Sequence, residues 1–361
     1  MLEDLTILPK VHPQHYLIHK YWGRKPHNLI HEYLTLLTKK NEVVLDPFMG
    51  SGGVVIESNK LGRSSIGIDI NPMSVMIVNE TLKDINLDKL FTTFQKILIN
   101  LPKDIKDLQQ VEHNGDICVI ENAVWVGDNL KRVKIKYKGK SIRRNANTKD
   151  IKKNLKAKKL LIKYEKDITF PTDRIMRYVK RNQKEHINEL FSDRNLLIAG
   201  WFLKQFEKVE DKKISESLKF IFTSALPNFS KMIPGDLEKV IGKSGWQISK
   251  FWAPEIHAEK NVIISLEQRL NKFIKGKEEI DKIKTKTNYK LYNKSSHSLK
   301  MIDDNSIDYI FTDPPYGDSI AYLALSSFWN SWLKNKVDYK NEIIYDPFRD
   351  KKEADYENRL Y

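Results

Sequence analysis

Asp313, Pro314, Pro315 and Tyr316 follow one another directly after an apolar run at residues 307–312. Proline fixes φ and donates no backbone hydrogen bond, so two in succession stiffen the chain just past a strand. The carboxylate and the phenol are then held over the carboxyl edge of a sheet, where open α/β folds bind their ligands. A carboxylate there accepts a hydrogen bond from a bound amino group and stabilises positive charge growing on it. A second segment, Asp46-Pro47-Phe48-Met49-Gly50-Ser51-Gly52-Gly53, follows another apolar run at 43–45. Its glycines allow a ligand to approach the backbone closely. The spacing is not Gly-x-Gly-x-x-Gly, and no Lys follows Gly53, which argues against a phosphate-binding P-loop. Asp69 lies 23 residues after Asp46, at the end of the next strand, where an acid can take both hydroxyls of a ribose. A glycine loop with such an acid is shared with NAD enzymes.

Short elements must position these groups. Apolar spacing predicts a helix over 29–37, a strand over 43–45, a helix over 54–61 ended by Gly62, and a strand over 65–68. This is a right-handed β-α-β unit. Much later, strands are expected at 289–292 and 307–312, separated by the turn Asp304-Asn305-Ser306. A helix is expected from about Ser319, carrying Tyr322, Leu325, Phe328, Trp329 and Trp332.

Together the two loops resemble those of the DNA amino-methyltransferases, which methylate N6 of adenine or N4 of cytosine using S-adenosylmethionine. The resemblance covers residues 19–80 and about 289–345. It implies a Rossmann-like class I methyltransferase sheet. It implies a cofactor site made of Asp46, Pro47, Phe48, Gly50, Ser51, Gly52, Asp69 and Asn71, with Asp46 facing the cationic amino-acid end. Upstream, His19-Lys20-Tyr21-Trp22-Gly23-Arg24-Lys25-Pro26 resembles the segment that packs by the cofactor; Lys20, Tyr21, Trp22 and Lys25 are carried over from it, a cation suiting the methionine carboxylate. The catalytic residues implied are Asp313, Pro314, Pro315 and Tyr316, with Asp in first position leaning toward adenine. Asp313 and the Pro314 carbonyl would accept the N–H groups of the target amine, and Tyr316 would stack on a base flipped from the duplex. Relatives often carry an acid after the third strand, against the cofactor's adenine. Here residues 293–298 read Asn-Lys-Ser-Ser-His-Ser, so a serine or a backbone group would have to serve.

Composition sets the remaining bounds. The 361 residues are 40% hydrophobic and 30% charged, enough for a real core. Cys118 is the single cysteine, so no intrachain disulfide forms, and the scattered His give no zinc-ligand spacing. The start has no signal-peptide pattern and no run approaches a membrane span, so a cytoplasmic setting is expected. Net charge is +15, and residues 131–160 hold fourteen Lys or Arg against one acid, Asp150. A polyanion is the natural partner, here double-stranded DNA. Lys134, Lys136 and Lys138 alternate with Val133, Ile135 and Tyr137 as a β-ribbon with one basic face, and with Arg143 and Arg144 they are the candidate phosphate contacts. Residues 149–166 read as helical or disordered; helices are expected around 196–206, 218–226 and 262–274. Arg174, Arg177, Arg181 and Asn182 are base-reading candidates by residue type alone.

The expected organisation is a cofactor-binding half at 1–85, a large, mixed, mainly helical basic insertion at 86–285 for target recognition, and a catalytic half at 286–361. Only four of the family's seven strands are visible, and the chain runs 48 residues past Asp313. The expectation is therefore a fragment, or half of a split enzyme completed by a second polypeptide. The leading function is methylation of DNA in restriction-modification or a related defence system. The alternatives are an RNA methyltransferase, since Asp-Pro-Pro-Tyr-Gly also resembles tRNA guanine-N2 enzymes, and a non-catalytic DNA-binding remnant.

Overall fold

A computed structural model describes residues 7–176, 184–243, 246, 251–317 and 319–360. In chain order the elements begin with α1 (His27–Leu37), β1 (Val43–Asp46), α2 (Gly53–Lys60), β2 (Ser64–Ile68), α3 (Pro72–Leu82), α4 (Leu87–Ile99) and the short α5 (Lys103–Lys106). Next come β3 (Gln110–His113), β4 (Asp116–Val126), β5 (Asn129–Tyr137), β6 (Lys140–Asn145), α6 (Thr148–Lys163), α7 (Asp193–Glu207) and α8 (Lys212–Ala225). The chain continues through β7 (Gly235–Asp236), β8 (Ile241–Gly242), β9 (Ile256–Lys260), α9 (Val262–Asp281), β10 (Tyr289–Tyr292), β11 (Tyr309–Ile310), α10 (Tyr322–Leu333) and α11 (Glu353–Leu360). Two compact units result: one of residues 1–84, 272–326 and 335–361, the other of residues 85–271 and 327–334.

The first unit is built on a parallel four-stranded sheet in the order β10-β2-β1-β11. Apolar strands of this kind need cover on both faces. Ile30, Leu34, Val44 and Val54 form one buried cluster with Tyr309 and Phe311 against it. Met49, Val55, Ile56, Val78 and Leu82 form another with Tyr16 and Ile280. The strand expected at 307–312 is shorter as a regular element, yet Asp308 N and Phe311 N still donate to Val43 O and Leu45 O, each at 3.0 Å. The N-terminal arm is pinned by Glu57, which has no exposed surface: its carboxylate accepts from Tyr16 Oη at 2.7 Å and pairs with His31 and Lys60, each at 2.8 Å. Fully buried Lys277 donates to Thr81 O and Lys83 O at 2.7 and 2.6 Å, and Lys284 to Leu82 O at 3.0 Å and Asp84 at 2.5 Å. These ammoniums satisfy carbonyls left open at the carboxyl end of α3.

The second unit mixes helices with a sheet, the helices holding the larger share of its described residues. Beside α4, α6, α7 and α8 it carries an antiparallel sheet in the order β3-β4-β5-β6, with β9 also on β4. The ribbon at 124–137 is present as β4 and β5, but β6 (KSIRRN) and β9 (IHAEK) have no apolar run to announce them. One face packs Cys118, Ile120, Val133 and Ile135 into a core. The stretch at 149–166 is largely helical: Asn147 and Asp150 form a reciprocal capping box that starts α6. Among the described residues no helix is long and apolar enough to cross a membrane, and no group of His, Cys, Asp or Glu could hold a metal ion.

Candidate active site

The carboxyl ends of β1, β2 and β11 open into one pocket of the first unit. Its floor is the turn from β1 into α2. Gly52 sits there at φ +78°, and a Cβ on it would lie 2.1 Å from a Val78 methyl. Only glycine allows both the left-handed backbone and this approach of α3 to the loop. Met49 N donates to Ile68 O at 3.0 Å, tying the loop to β2.

Three acids face this pocket in unfavourable surroundings. Asp46 is 4% exposed and accepts Phe48 N at 3.1 Å. Burial, reinforced by Asp69 and Asp313, pushes its carboxyl up to about 8. Asp69 accepts Gly50 N at 2.9 Å on one oxygen and Asn71 N at 2.8 Å on the other, and Ser74 also hydrogen-bonds to it. It is half-buried by surface area, yet enclosing pocket walls desolvate it and push it up to about 6. Glu342 is 6% exposed, accepts Leu323 N at 3.3 Å and pairs with Arg349 at 2.6 Å; burial raises it too. Glu342 in turn adds to the upward shift of Asp69. Three desolvated acids thus stand beside the glycine loop, with Arg24 and Lys25 lining the same pocket.

Residues of the 19–26 segment take different places. Tyr21 stacks on Tyr322 with centroids 5.7 Å apart and accepts from Ser74 Oγ at 2.9 Å. Trp22 is buried and lines the pocket. Lys20 lies over the Trp22 ring, 5.4 Å from its centroid, and is not among the pocket-lining residues. Lys25 reaches the Asp313–Tyr316 loop: its Nζ is 3.2 Å from Asp313 Oδ2 and 5.5 Å from the Tyr316 ring centroid. Arg24, in the same segment but not among the residues carried over from it, donates to Ser51 Oγ at 3.1 Å and to the Tyr16 and His19 carbonyls; burial lowers it to about 10. Asn71 caps α3 by accepting Met73 N at 3.1 Å and donates to Ser326 Oγ at 2.7 Å. Pro47 and Phe48 complete the wall.

In the Asp313–Tyr316 loop, Asp313 and Pro315 line the pocket, whereas Pro314 and Tyr316 do not. Tyr316 is 62% exposed and donates to Asp313 Oδ1 at 2.6 Å. The Pro315 carbonyl is taken by Tyr356 Oη at 2.7 Å, a contact from α11 that no motif announces. The serines after β10 line the pocket, and their hydroxyls donate to the protein: Ser295 Oγ to Asn341 O at 2.7 Å and Ser296 Oγ to Pro47 O. Glu342, next to Asn341, lines the same pocket.

The basic stretch belongs to the second unit, and among the described residues Lys134, Arg144 and Lys149 pair with acids of that unit. Lys134 pairs with Glu121 at 3.3 Å, and Arg143 Nε donates to Lys239 O at 2.8 Å. Arg144 is register partner to the core residue Val133, on the face opposite Lys134 and Lys136. It is held by Asp150 at 2.5 and 3.1 Å, so it is a structural cation rather than an open phosphate contact. Lys136 stays exposed on the outer face, and Lys138 stands in the β5–β6 turn at φ +45°. Arg174 lies 3.7 Å from Glu185; Arg177, Arg181 and Asn182 lie outside the described residues.

Residues 4–80 match a family model described as DNA methylase. Over 338 residues, 84% of this chain, the protein is 24% identical to the type II methyltransferase M.MjaII of Methanocaldococcus jannaschii, matching 59% of that protein's length. A 64-residue stretch, 18% of this chain, is 39% identical to the type II methyltransferase M1.MboII of Moraxella bovis, covering 25% of it. A 106-residue stretch, 29% of this chain, is 29% identical to the type II methyltransferase M.BamHI of Bacillus amyloliquefaciens, covering 22% of it. The chain thus spans less than two thirds of the length of each of these relatives.

Proposed function

We propose that the first unit binds S-adenosylmethionine and transfers its methyl group to an exocyclic amino group of a base in double-stranded DNA, N6 of adenine rather than N4 of cytosine, within restriction-modification or a related defence system. The observation that carries this reading is the set of desolvated carboxylates Asp46, Asp69 and Glu342 meeting Asp313 at the carboxyl edge of a parallel sheet. A pocket lined by these acids together with Arg24 and Lys25 suits a ligand bearing both signs of charge, and S-adenosylmethionine carries a sulfonium, an ammonium and a carboxylate. Bound there, it supplies an electrophilic methyl group. Asp46 suits the ammonium, and the two oxygens of Asp69 suit the ribose hydroxyls. Asp313 accepts a hydrogen bond from the target amine and stabilises charge developing on nitrogen, while Tyr316 covers the face of the base. Lys136 and Lys138 contact phosphates without reading sequence.

The reading includes a second polypeptide. Among the described residues, β11 pairs only with β1, and Ile310 on it is 56% exposed. An open parallel edge of this kind accepts a further strand. Incubation with radiolabelled S-adenosylmethionine and either duplex DNA or transfer RNA tests the whole. Label should enter DNA as N6-methyladenine and vanish with Asp313→Ala; label in RNA alone would overturn the substrate.

A further inference from the structure

We propose that the solvent face of α6 is a docking site for an acidic amphipathic helix of another polypeptide. This is independent of the methyl-transfer reading. One side of α6 is already satisfied: Asp150, Ala157 and Leu160 are buried, and Lys153 Nζ donates to Gln110 O at 3.1 Å. On the opposite side Ile151, Leu155 and Ile162 are 45%, 60% and 77% exposed. Single exposed aliphatics are ordinary, but three in one row on a helix that has already buried another face are not.

Their spacing defines the occupant. Ile151, Leu155, Lys158 and Ile162 recur at intervals of four, three and four, the seam along which two helices interlock. Lys152 and Lys159 flank that seam directly, and Lys156 adds to the basic border. Among the described residues none of Lys152, Lys156, Lys158 and Lys159 has an ion-pair partner, unlike Lys149 and Lys163, which pair with Glu112 and Asp104. A second copy of α6 would set lysine against lysine and be repelled. A phosphate backbone would use the lysines and leave the aliphatics in water. A helix with leucine or isoleucine on its seam and glutamate or aspartate beside it satisfies both features.

A fluorescent three-heptad peptide with Leu at the seam and Glu at the flanks, titrated with the full chain, tests this by anisotropy. The same peptide with Lys in place of Glu is the control. The acidic peptide should bind and the basic one should not. Leu155→Gln with Ile162→Gln alters only exposed positions and should weaken binding by about tenfold or more, with an unchanged melting temperature. Lys152→Glu with Lys159→Glu should reverse the preference between the two peptides. Absence of binding, or equal affinity in the glutamine variant, would overturn the proposal. So would glutamine substitutions that instead reduce binding to duplex DNA or to phosphatidylserine vesicles.

Discussion

The Tyr316 hydroxyl donates to Asp313 Oδ1 at 2.6 Å while Lys25 Nζ stands 3.2 Å from Oδ2, so both oxygens of the candidate catalytic carboxylate are engaged by the protein itself. The Asp313–Tyr316 contact closes the loop on itself. In the proposed reaction an incoming amine would replace Tyr316 on Oδ1, with Lys25 left on Oδ2.

Asp313→Ala should therefore abolish methyl transfer, by about a thousandfold or more, with duplex affinity within about twofold of the original. The interaction lost is made to the transition state and not to phosphates. Single-turnover transfer and a binding isotherm on the same preparation separate the two effects; a variant that keeps most of its turnover removes Asp313 from catalysis.

Cofactor binding should strengthen as pH rises. Asp46 and Asp69 sit near 8 and 6 because burial disfavours their charge. A cationic ligand restores that charge, so its binding expels protons, and affinity climbs from about pH 5 and levels off above about pH 8. S-adenosylhomocysteine, lacking the sulfonium charge, should show the shallower dependence in calorimetry. Asp46→Asn should flatten the upper part of the curve. The sign for stability is opposite: the folded, ligand-free state binds more protons than the unfolded chain between the ordinary carboxylate range and about pH 8, so these two groups make it less stable as pH rises.

Asp69→Ala should weaken S-adenosylmethionine binding about tenfold or more through loss of the ribose contact, a change calorimetry resolves. Gly52→Ala should instead cost roughly 1–3 kcal/mol of folding stability, because the new Cβ collides with Val78 in a left-handed conformation. Chemical denaturation measures the second effect.

Neutralising Lys136 and Lys138 should lower affinity for all duplexes alike and reduce the log–log salt slope by about one per lysine. Arg144→Ala should leave that slope unchanged and cost roughly 2 kcal/mol of stability, since it removes a bidentate partner of buried Asp150. An unchanged slope for the lysine pair would make the β5–β6 turn a solvated loop.

What could be read in advance was local. Asp46, Asp69 and Asp313 each end a short apolar strand, and a strand followed by a glycine or proline turn is recognisable within ten residues. Glu342 was not legible, because it reaches the pocket only after 335–352 folds back, with Arg349 bridging Glu342 and Asp346. The role of Arg144 was hidden for a related reason: in sequence it is one cation among fourteen, and its partner Asp150 lies in the next element. β6 and β9 escaped notice because their pairing to distant strands, not their own hydrophobicity, makes them strands.

Lys277 and Lys284 hold the carboxyl end of α3, so the chain is fastened at 81–84, where it departs for 85–271, and again just after it returns. A detour stapled at both mouths transmits little tension to what lies before and after it, and lengthening it costs only slowly growing closure entropy. The length of 85–271 is thereby uncoupled from the spacing of the strands that carry Asp46 and Asp69, because both mouths of the detour close on the same end of α3.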